Sequence, residues 1–260
     1  MQFALVNNEK VEAAPGLKGV CQGCAAPMIA HCGKKRSWHW THHSTANCDR
    51  WWEPETEWHR AWKNQFPREW QEIRHHDKQN NEVHIADVLT VHGSVIEFQH
   101  SSIHPEERAA REAFYKNLIW IVDGTRLKRD YPRFRQRMNF RRSMMPGHFL
   151  VDFPEKCFPK DWVACRVPVI FDFRGLNAVD PPDPILDGLW CILPGRAGHH
   201  AVVVGMSAGN LVNTLSSRAQ LIPYKETMAL AEEVQRQEAK TAMSTAPRLL
   251  AVGPGRRQRF

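Results

Sequence analysis

The sequence predicts an α/β fold preceded by a small module rich in cysteine and histidine. Four of the seven cysteines fall within positions 21–48. Residues 49–124 then carry a helical segment, two β-branched runs, a second helical segment and a third apolar run. Short apolar runs bounded by Pro or Gly continue through residues 151–212 and suit further buried strands.

Size and charge limit the protein class. The chain has 260 residues, 42% of them hydrophobic, which is enough for one medium domain and an appendage. A net charge of +7 favours an anionic partner, most often nucleic acid. No run of 18 apolar residues is present, and the first residues lack the pattern of a signal peptide. We therefore expect a cytoplasmic location and no membrane partner.

Composition divides the chain into three predicted segments. Residues 1–48 form a Cys/His module, residues 49–212 form the core with a basic insertion at 125–150, and residues 213–260 form a helix and a basic tail. Residues 151–260 should complete the sheet and cover it, and no motif in them indicates chemistry. His199 and His200 follow a Gly-containing turn and are predicted to lie at the surface.

The core elements follow from local signals. A helix should begin near Glu55, after Pro54, and end before Pro67. HIADVLTV and SVIEFQHS, separated by a Gly-Ser turn, predict a hairpin. A second helix should begin at Pro105 and run to about Asn117, followed by the strand 118–122. A last amphipathic helix is predicted over 224–242.

The hairpin carries the candidate catalytic acids. Asp87 lies inside an apolar strand, where a carboxylate is costly unless it is paired or binds a metal. Glu97 and Gln99 share one face of the next strand, because side chains alternate along a strand. Pairing would bring Asp87 and Glu97 together, and two hard oxygen ligands suit Mg²⁺ or Mn²⁺. The alternative is a pair of satisfied acids without chemistry.

The first predicted helix adds a second set of candidates. Glu55, His59 and Lys63 are spaced i, i+4, i+8 and would line one helix face. An acid, an imidazole and an ammonium there could support the metal, a water and a phosphate. Arg111 and Tyr115 are spaced alike on the second helix. An ordinary solvated face is the alternative for both sets.

Five pieces of sequence, in order, resemble the competence-protein CoiA family. They are ETEWHRAWK, HIADV, VIEFQHSSI, the Arg111-to-Tyr115 spacing and WIVDG, over residues 55–124. The family also has CxxC and HxxH at its start, so the resemblance covers about residues 1–124. The family is similar to PD-(D/E)xK nucleases. The resemblance therefore implies a restriction-endonuclease-like core, a mixed central sheet flanked by helices, with a zinc-ribbon-like module.

The resemblance also implies residue roles. Asp87 and Glu97 would bind Mg²⁺ or Mn²⁺. Gln99 stands where many relatives carry a catalytic Lys; an amide can orient water or phosphate but supplies no positive charge. Lys63 is our hypothesis for that missing charge. Glu55 resembles the acid of the first helix, with Glu57 as a competitor two positions away.

The Cys/His module predicts structural zinc. Cys21 and Cys24 form CxxC and His39 and His42 form HxxH, a ligand set that suits tetrahedral Zn²⁺. Unliganded, reduced cysteines are the alternative. Further candidates nearby leave the exact set open: His31, Cys32, His43 and Cys48. The scattered Cys157, Cys165 and Cys191 are predicted to be buried free thiols.

The basic insertion predicts nucleic-acid contact. Cations and aromatic residues alternate there, which is typical of surfaces that bind single strands. The alternative is a solvated loop. The predicted contacts, with those on the second helix, are Arg111, Tyr115, Arg126, Lys128, Arg129, Arg133, Arg135 and Arg137. The interleaved aromatics are Tyr131, Phe134 and Phe140.

Together these patterns favour a metal-dependent deoxyribonuclease acting on single- or double-stranded DNA. DNA uptake, recombination or defence are the expected settings, with a homo-oligomer or protein partners in them. A non-catalytic DNA-binding or processing factor with the same fold is the first alternative, because of Gln99. A protein-interaction scaffold with structural carboxylates is the second.

Overall fold

The computed structural model describes residues 1–43, 48–51, 53–77, 82–137, 140–142, 145–175 and 182–245. These residues form two sheets. The predicted α/β fold class is confirmed: a large mixed sheet is flanked by helices, and a Cys-rich group lies in the N-terminal module. The basic tail beyond 245 lies outside the described residues.

The N-terminal module is an antiparallel sheet of five described strands in the order β2-β1-β3-β4-β5. The strands are β1 Phe3–Val6, β2 Glu9–Glu12, β3 Lys18–Val20, β4 Pro27–His31 and β5 His39–His42. Trp40 is fully buried in the small core of this module. Gly19 permits that packing, because a Cβ there would lie 2.9 Å from Ala4 Cβ and 3.2 Å from the Trp40 ring.

The large sheet has nine described strands in the order β10-β11-β14-β13-β12-β9-β8-β7-β6. The strands are β6 Gln71–Asp77, β7 Glu82–Leu89, β8 Val95–Gln99, β9 Leu118–Asp123, β10 Arg141–Arg142, β11 His148–Val151, β12 Val169–Asp172, β13 Leu189–Ile192 and β14 Ala201–Met206. β9 runs parallel to β8 and β12, and the other pairs are antiparallel. The sheet is therefore mixed.

Helices cover the sheet, and hydrophobic cores pack on its faces. The helices are α1 Glu57–Lys63, α2 Pro105–Phe114, α3 Asp130–Arg137, α4 Pro154–Cys157, α5 Ala208–Ser217 and α6 Tyr224–Thr245. Alternation along β8 explains one packing face: Ile96 and Phe98 join the core that holds Trp58 and Trp62 of α1. None of the helices in the described ranges is long and apolar enough to cross a membrane.

Residues 151–212 complete the large sheet, as predicted, since they supply β12, β13, β14 and the end of β11. The hairpin of β7 and β8 is confirmed. Strand β6 escaped prediction. It is the edge strand of the sheet, and its charged sequence QEIRHHD is of the kind that protects an exposed edge.

The helix predicted to begin near Glu55 begins at Glu57. Thr56 caps α1, because its side-chain oxygen accepts the His59 N–H at 3.2 Å. Glu55 therefore precedes the helix in extended chain. The helix ends at Lys63, well before Pro67.

Asp172 at the end of β12 fixes α1 against the sheet. Its Oδ2 accepts the indole N–H groups of Trp58 and Trp62, each at 2.9 Å. Its Oδ1 accepts the backbone N–H groups of Arg174 and Gly175. Asp172 is buried, so its charge is balanced by four hydrogen bonds.

We expect Asp172→Ala to lower the free energy of unfolding by about 2–5 kcal/mol, because two buried indole donors lose their acceptor. Urea unfolding followed by circular dichroism measures the change. Asp161→Ala, at an exposed position, is the matched control and should stay close to wild type. Equal stability of the two variants would contradict this role of Asp172.

Candidate active site and metal-binding cluster

Four ligand atoms converge in the N-terminal module. Cys21, Cys24, His42 and Cys48 each place one ligand atom within 4.8 Å of the others. Cys21 and Cys24 lie on the turn between β3 and β4, where the Gly23 N–H donates to Cys21 Sγ at 3.3 Å. His42 ends β5, and Cys48 leads out of the module.

The spacing of these atoms fits tetrahedral zinc. Zn–S bonds of about 2.3 Å at tetrahedral angles place two sulfurs roughly 3.8 Å apart. Cys21 Sγ and Cys48 Sγ are 3.7 Å apart, and Cys24 Sγ lies 3.4 Å from His42 Nε2. Burial raises the pKa of both Cys21 and Cys48, and a bound cation would offset that cost for the thiolates. The cluster could therefore bind zinc through three thiolates and one imidazole.

The predicted ligand set needs one correction. His39 Nδ1 hydrogen-bonds the Ser37 carbonyl at 2.8 Å, and its ring stacks on His31. His39 and His42 are three residues apart on a strand, so their side chains leave on opposite faces and only one reaches the cluster. Cys48, a surplus candidate in the sequence, takes the fourth place.

The cluster connects directly to the large sheet through Asp49. Asp49 follows Cys48, and its carboxylate accepts from His84 Nδ1 at 2.7 Å and from the Ile85 N–H at 2.8 Å, both on β7. The Trp51 N–H also donates to Asp49, at 2.9 Å. A cation on Cys48 would therefore hold the chain that supports the strand carrying Asp87. Sequence reasoning missed Asp49.

Asp87 and Glu97 meet in a pocket between the two sheets and α1. The Asp87 N–H lies 3.4 Å from Glu97 Oε1, and the Phe98 N–H donates to Asp87 Oδ2 at 2.9 Å. The Asp87 carboxylate thus takes a backbone donor of the neighbouring strand. The structure brings together the two acids that the hairpin predicted.

The two carboxylates have opposite electrostatic environments. Burial and the neighbouring Asp87 raise the pKa of Glu97 to about 8, against the effect of Arg111. Burial alone would raise the pKa of Asp87, but His59 and Lys63 outweigh burial and lower it. His59 Nε2 lies 2.8 Å from Asp87 Oδ1. The pair therefore carries one charge more readily than two, which is the situation a divalent cation relieves.

Gln99 lines the same pocket. Its amide nitrogen is already used as a hydrogen-bond donor to side chains of the pocket wall. Its Nε2 donates to Glu53 Oε1 at 2.9 Å and to Ser101 Oγ at 3.1 Å. Ser101 also hydrogen-bonds Glu53. Glu53 is a further acid in the pocket wall that sequence reasoning missed, since it lies in irregular chain without a periodic signal.

Glu55 and Lys63 belong to a buried ion cluster in the pocket wall. Lys63 Nζ lies 2.5 Å from Glu55 Oε1 and 2.6 Å from Glu72 Oε1. Arg60 Nη2 pairs with Glu55 Oε2 at 2.6 Å. Glu72 also accepts the backbone N–H groups of residues 2 and 3, which attaches the module to β6.

This geometry bears on the role expected for Lys63. Its side chain is 2% exposed and pairs with two carboxylates in the pocket wall, so its charge is already balanced there, and a role toward a phosphate stays a prediction. Glu55, not Glu57, lines the pocket; Glu57 is exposed. Of the predicted trio, His59 is the member that contacts Asp87.

Arg111 and Tyr115 are also corrected. Both are buried, at 5% and 2% exposed, so neither presents a surface to nucleic acid. Arg111 Nη1 pairs with Glu97 Oε2 at 3.0 Å, and Nη2 donates to the Trp51 carbonyl at 2.7 Å. Arg111 is therefore the counter-charge of Glu97.

The basic insertion, residues 125–150, forms a loop, helix α3, strand β10 and most of strand β11. Arg126, Lys128, Arg129 and Arg135 are exposed there, whereas Arg133 is partly buried and pairs with Asp130. Arg137 ends the helix, and its side chain lies outside the described part. Phe134 is fully buried against Phe158 and Phe173, so it cannot stack on a base. The apolar face of an amphipathic helix accounts for this aromatic.

A second group of possible ligands lies far along the chain, at Asp152, His199 and His200. The surface prediction holds for His199 and is wrong for His200, which is 4% exposed. His200 Nε2 lies 2.5 Å from Asp152 Oδ1 and also contacts Arg141. The ring therefore ties β14 to its neighbours. Cys157, Cys165 and Cys191 are buried thiols outside any disulfide, as predicted.

Two buried, unequal carboxylates thus meet in one pocket of an α/β domain with a mixed sheet. Residues 75–150 match the family model described as competence protein CoiA, nuclease-like domain. The predicted resemblance is confirmed, and the chain is CoiA-like over this range, which includes Asp87, Glu97 and Gln99. No curated protein and no solved structure gave a match.

Zinc should be lost from the purified protein in Cys48→Ser and His42→Ala but retained in His39→Ala. The reason is that Cys48 and His42 belong to the ligand cluster, whereas His39 faces away from it. Elemental analysis of the three variants and the wild type decides the point. Retention of zinc in Cys48→Ser with loss in His39→Ala would restore the ligand set predicted from the sequence.

Acid should weaken the ion cluster around Lys63. Burial would raise the pKa of Glu55, but Lys63, His59 and Arg60 lower it from 4.5 to about 2. A carboxylate with a depressed pKa adds stability that is fully present above its unfolded-state pKa and is lost as pH falls through its folded-state pKa. Glu55→Gln should therefore be less stable than wild type at pH 7, and the difference should shrink between about pH 4.5 and 2.

Urea midpoints measured across that pH range check this expectation. Glu57→Gln is the matched control, since Glu57 is exposed at the start of α1. Its difference from wild type should be small at every pH. A pH-independent difference for Glu55→Gln would rule out the proposed linkage.

Proposed function

We propose that the protein is a metal-dependent deoxyribonuclease. The observation that carries this proposal is the convergence of Asp87 and Glu97 in one pocket of a CoiA nuclease-like domain. Kinship of the core with PD-(D/E)xK nucleases, and the division into residues 1–48, 49–212 and 213–260, are parts of the same proposal. DNA uptake, recombination or defence are settings in which such an enzyme would act.

The donor set fits Mg²⁺ or Mn²⁺. Both ions prefer carboxylate oxygens, and each oxygen of Asp87 and Glu97 keeps a lone pair beside its present hydrogen bond. Burial and the neighbouring Asp87 raise the pKa of Glu97, and a cation bound to both acids would favour its charged form. When bound, such a cation activates water and neutralises charge on a phosphate. Asp87 and Glu97 would hold it.

The other pocket residues position these two acids. His59 holds Asp87 Oδ1, and Arg111 holds Glu97 Oε2. Each carboxylate is therefore fixed in one orientation with its remaining lone pairs free. Gln99 holds Glu53 at the pocket wall and can orient a water or a phosphate oxygen with its amide.

The exposed cations of the basic insertion would bind the DNA backbone. Arg126, Lys128, Arg129 and Arg135 lie close together along the chain, directly after β9, which neighbours β8 in the sheet. Charges of this kind bind phosphates independently of sequence. They support DNA as the substrate.

A non-catalytic DNA-binding factor is the second candidate. Two observations favour it: Gln99 places an amide where a catalytic cation is expected, and Arg111 already neutralises Glu97. A buried salt bridge of this type can serve structure alone. Such a protein would bind DNA through the same basic surface without cutting it.

Cleavage of linear, circular and single-stranded DNA with Mg²⁺ or Mn²⁺ tests the two candidates. We expect Asp87→Asn and Glu97→Gln to reduce cleavage to the level seen with a chelator, because each removes one anionic ligand. His59→Ala should weaken metal affinity by about 10- to 100-fold, since it removes a group that orients a ligand.

Asp161→Asn is the matched control, because it changes an exposed acid away from Asp87 and Glu97. It should cut DNA as the wild type does. Full cleavage by Asp87→Asn would overturn the proposed site. DNA binding by the wild type without cleavage under any of these conditions would establish the second candidate.

A further inference from the structure

The loop between β4 and β5 presents an unusual combination of exposed side chains. Lys34, Lys35 and Arg36 are exposed, and Trp38 is 45% exposed. Among the described residues, these three cations take part in no ion pair. The exposed Trp38 ring does not pack in the core of the module and does not favour solubility. An exposed aromatic of this kind often marks a binding surface.

The loop is held in place beside the candidate active site. Arg60 of α1 donates to the Trp38 carbonyl at 2.8 Å, while its Nη2 pairs with Glu55. The backbone at Trp38 is thus fixed to the helix that carries His59. An ordered backbone lowers the entropy cost of using the Trp38 side chain for binding.

A groove beside the loop lies next to the pocket. Its walls include the cations Lys35, Arg36 and Arg60 and the acids Glu55 and Glu57. Glu55 also lines the pocket that holds Asp87 and Glu97. A chain lying in the groove would therefore pass beside the pocket of the two carboxylates.

The outer face of the small sheet extends the same surface. Ile29 is 45% exposed on β4, opposite Thr41 in the register. His31 and His39 are paired in the next row, and their rings stack with 5.4 Å between centroids. Aromatic and apolar groups are thus arranged along a sheet face bordered by cations.

We propose that this loop and groove bind a single-stranded nucleic-acid segment, with a base stacked on Trp38 and the backbone phosphates on Lys34, Lys35 and Arg36. Phosphates match the three cations, and an unpaired base has a free face that an exposed indole can stack on. The stacked bases of a duplex offer no such face. The inference rests on the proposed nuclease function and assigns its substrate an unpaired segment next to the scissile bond.

Binding of a labelled single-stranded oligonucleotide to the full chain tests the proposal. The measurement uses the Asp87→Asn background, so that no substrate is cut. A chelator removes free divalent cations, at a strength too low to remove zinc from the cysteine cluster. Trp38→Ala should weaken binding about 5- to 100-fold, the range for losing one stacked base. Trp38→Phe should recover most of the loss, because it keeps an aromatic face.

The combined variant Lys34→Ala, Lys35→Ala, Arg36→Ala should weaken binding and flatten its salt dependence. The slope of log affinity against log salt should fall by about 0.7 for each lost single-strand phosphate contact. The matched control is Lys225→Ala, Arg236→Ala, Lys240→Ala, which removes three exposed cations from α6. The control should change the affinity and the salt slope much less than the Lys34→Ala, Lys35→Ala, Arg36→Ala variant does.

A blunt duplex of the same sequence is the second probe. Trp38→Ala should leave duplex binding nearly unchanged. An equal loss for duplex and single strand would overturn the assignment to an unpaired segment, and unchanged single-strand binding in Trp38→Ala would overturn the site. Circular dichroism and zinc content identify a variant that fails to fold.

These outcomes are separable from those for the proposed function. If the protein with Asp87 intact cleaves DNA but Trp38→Ala leaves single-strand binding unchanged, the nuclease proposal stands and the proposed binding surface is wrong. If single-strand binding depends on Trp38 but the protein with Asp87 intact cleaves no DNA, the proposed binding surface stands and the nuclease proposal is wrong.

Discussion

The structure is organised around two carboxylates buried side by side. Burying Glu97 and placing it beside Asp87 both raise the pKa of Glu97, which is the electrostatic cost of this arrangement. His59 and Arg111 offset part of that cost, and they come from helices on either side of the hairpin. Much of the chain around the pocket therefore serves to hold two carboxyl groups close together, and a divalent cation would stabilise the charged form of both.

The N-terminal module is part of this arrangement and not a separate appendage. Asp49 follows the ligand Cys48 and holds β7, while the Trp51 carbonyl accepts from Arg111. Metal binding by the cysteines would thus restrict the segment that supports both Asp87 and the counter-charge of Glu97. On the other side of the pocket, Glu72 attaches the first residues of the module to the core.

The sequence predicted the parts of this site that depend on regular periodicity. Alternation along β8 and the ten-residue spacing placed Glu97 with Asp87. The CxxC pair was evident as well. Contacts between distant segments were not predictable: Cys48 replaces His39, and Arg111 turns inward to Glu97, because tertiary packing decides which of several similar side chains reaches a site. The ion pair of Lys63 with Glu72 was not predictable for the same reason. Glu72 lies on edge strand β6, whose polar sequence does not have the pattern of a strand.

Manganese binding followed by electron paramagnetic resonance tests the central claim most directly, because it reports on the carboxylate pair without requiring turnover. Thiolates do not favour Mn²⁺, so the cysteine cluster should not contribute. The account predicts a bound Mn²⁺ that Mg²⁺ displaces, that is lost in both Asp87→Asn and Glu97→Gln, and that is kept in Glu57→Gln. Manganese binding that is unchanged in both variants would contradict it.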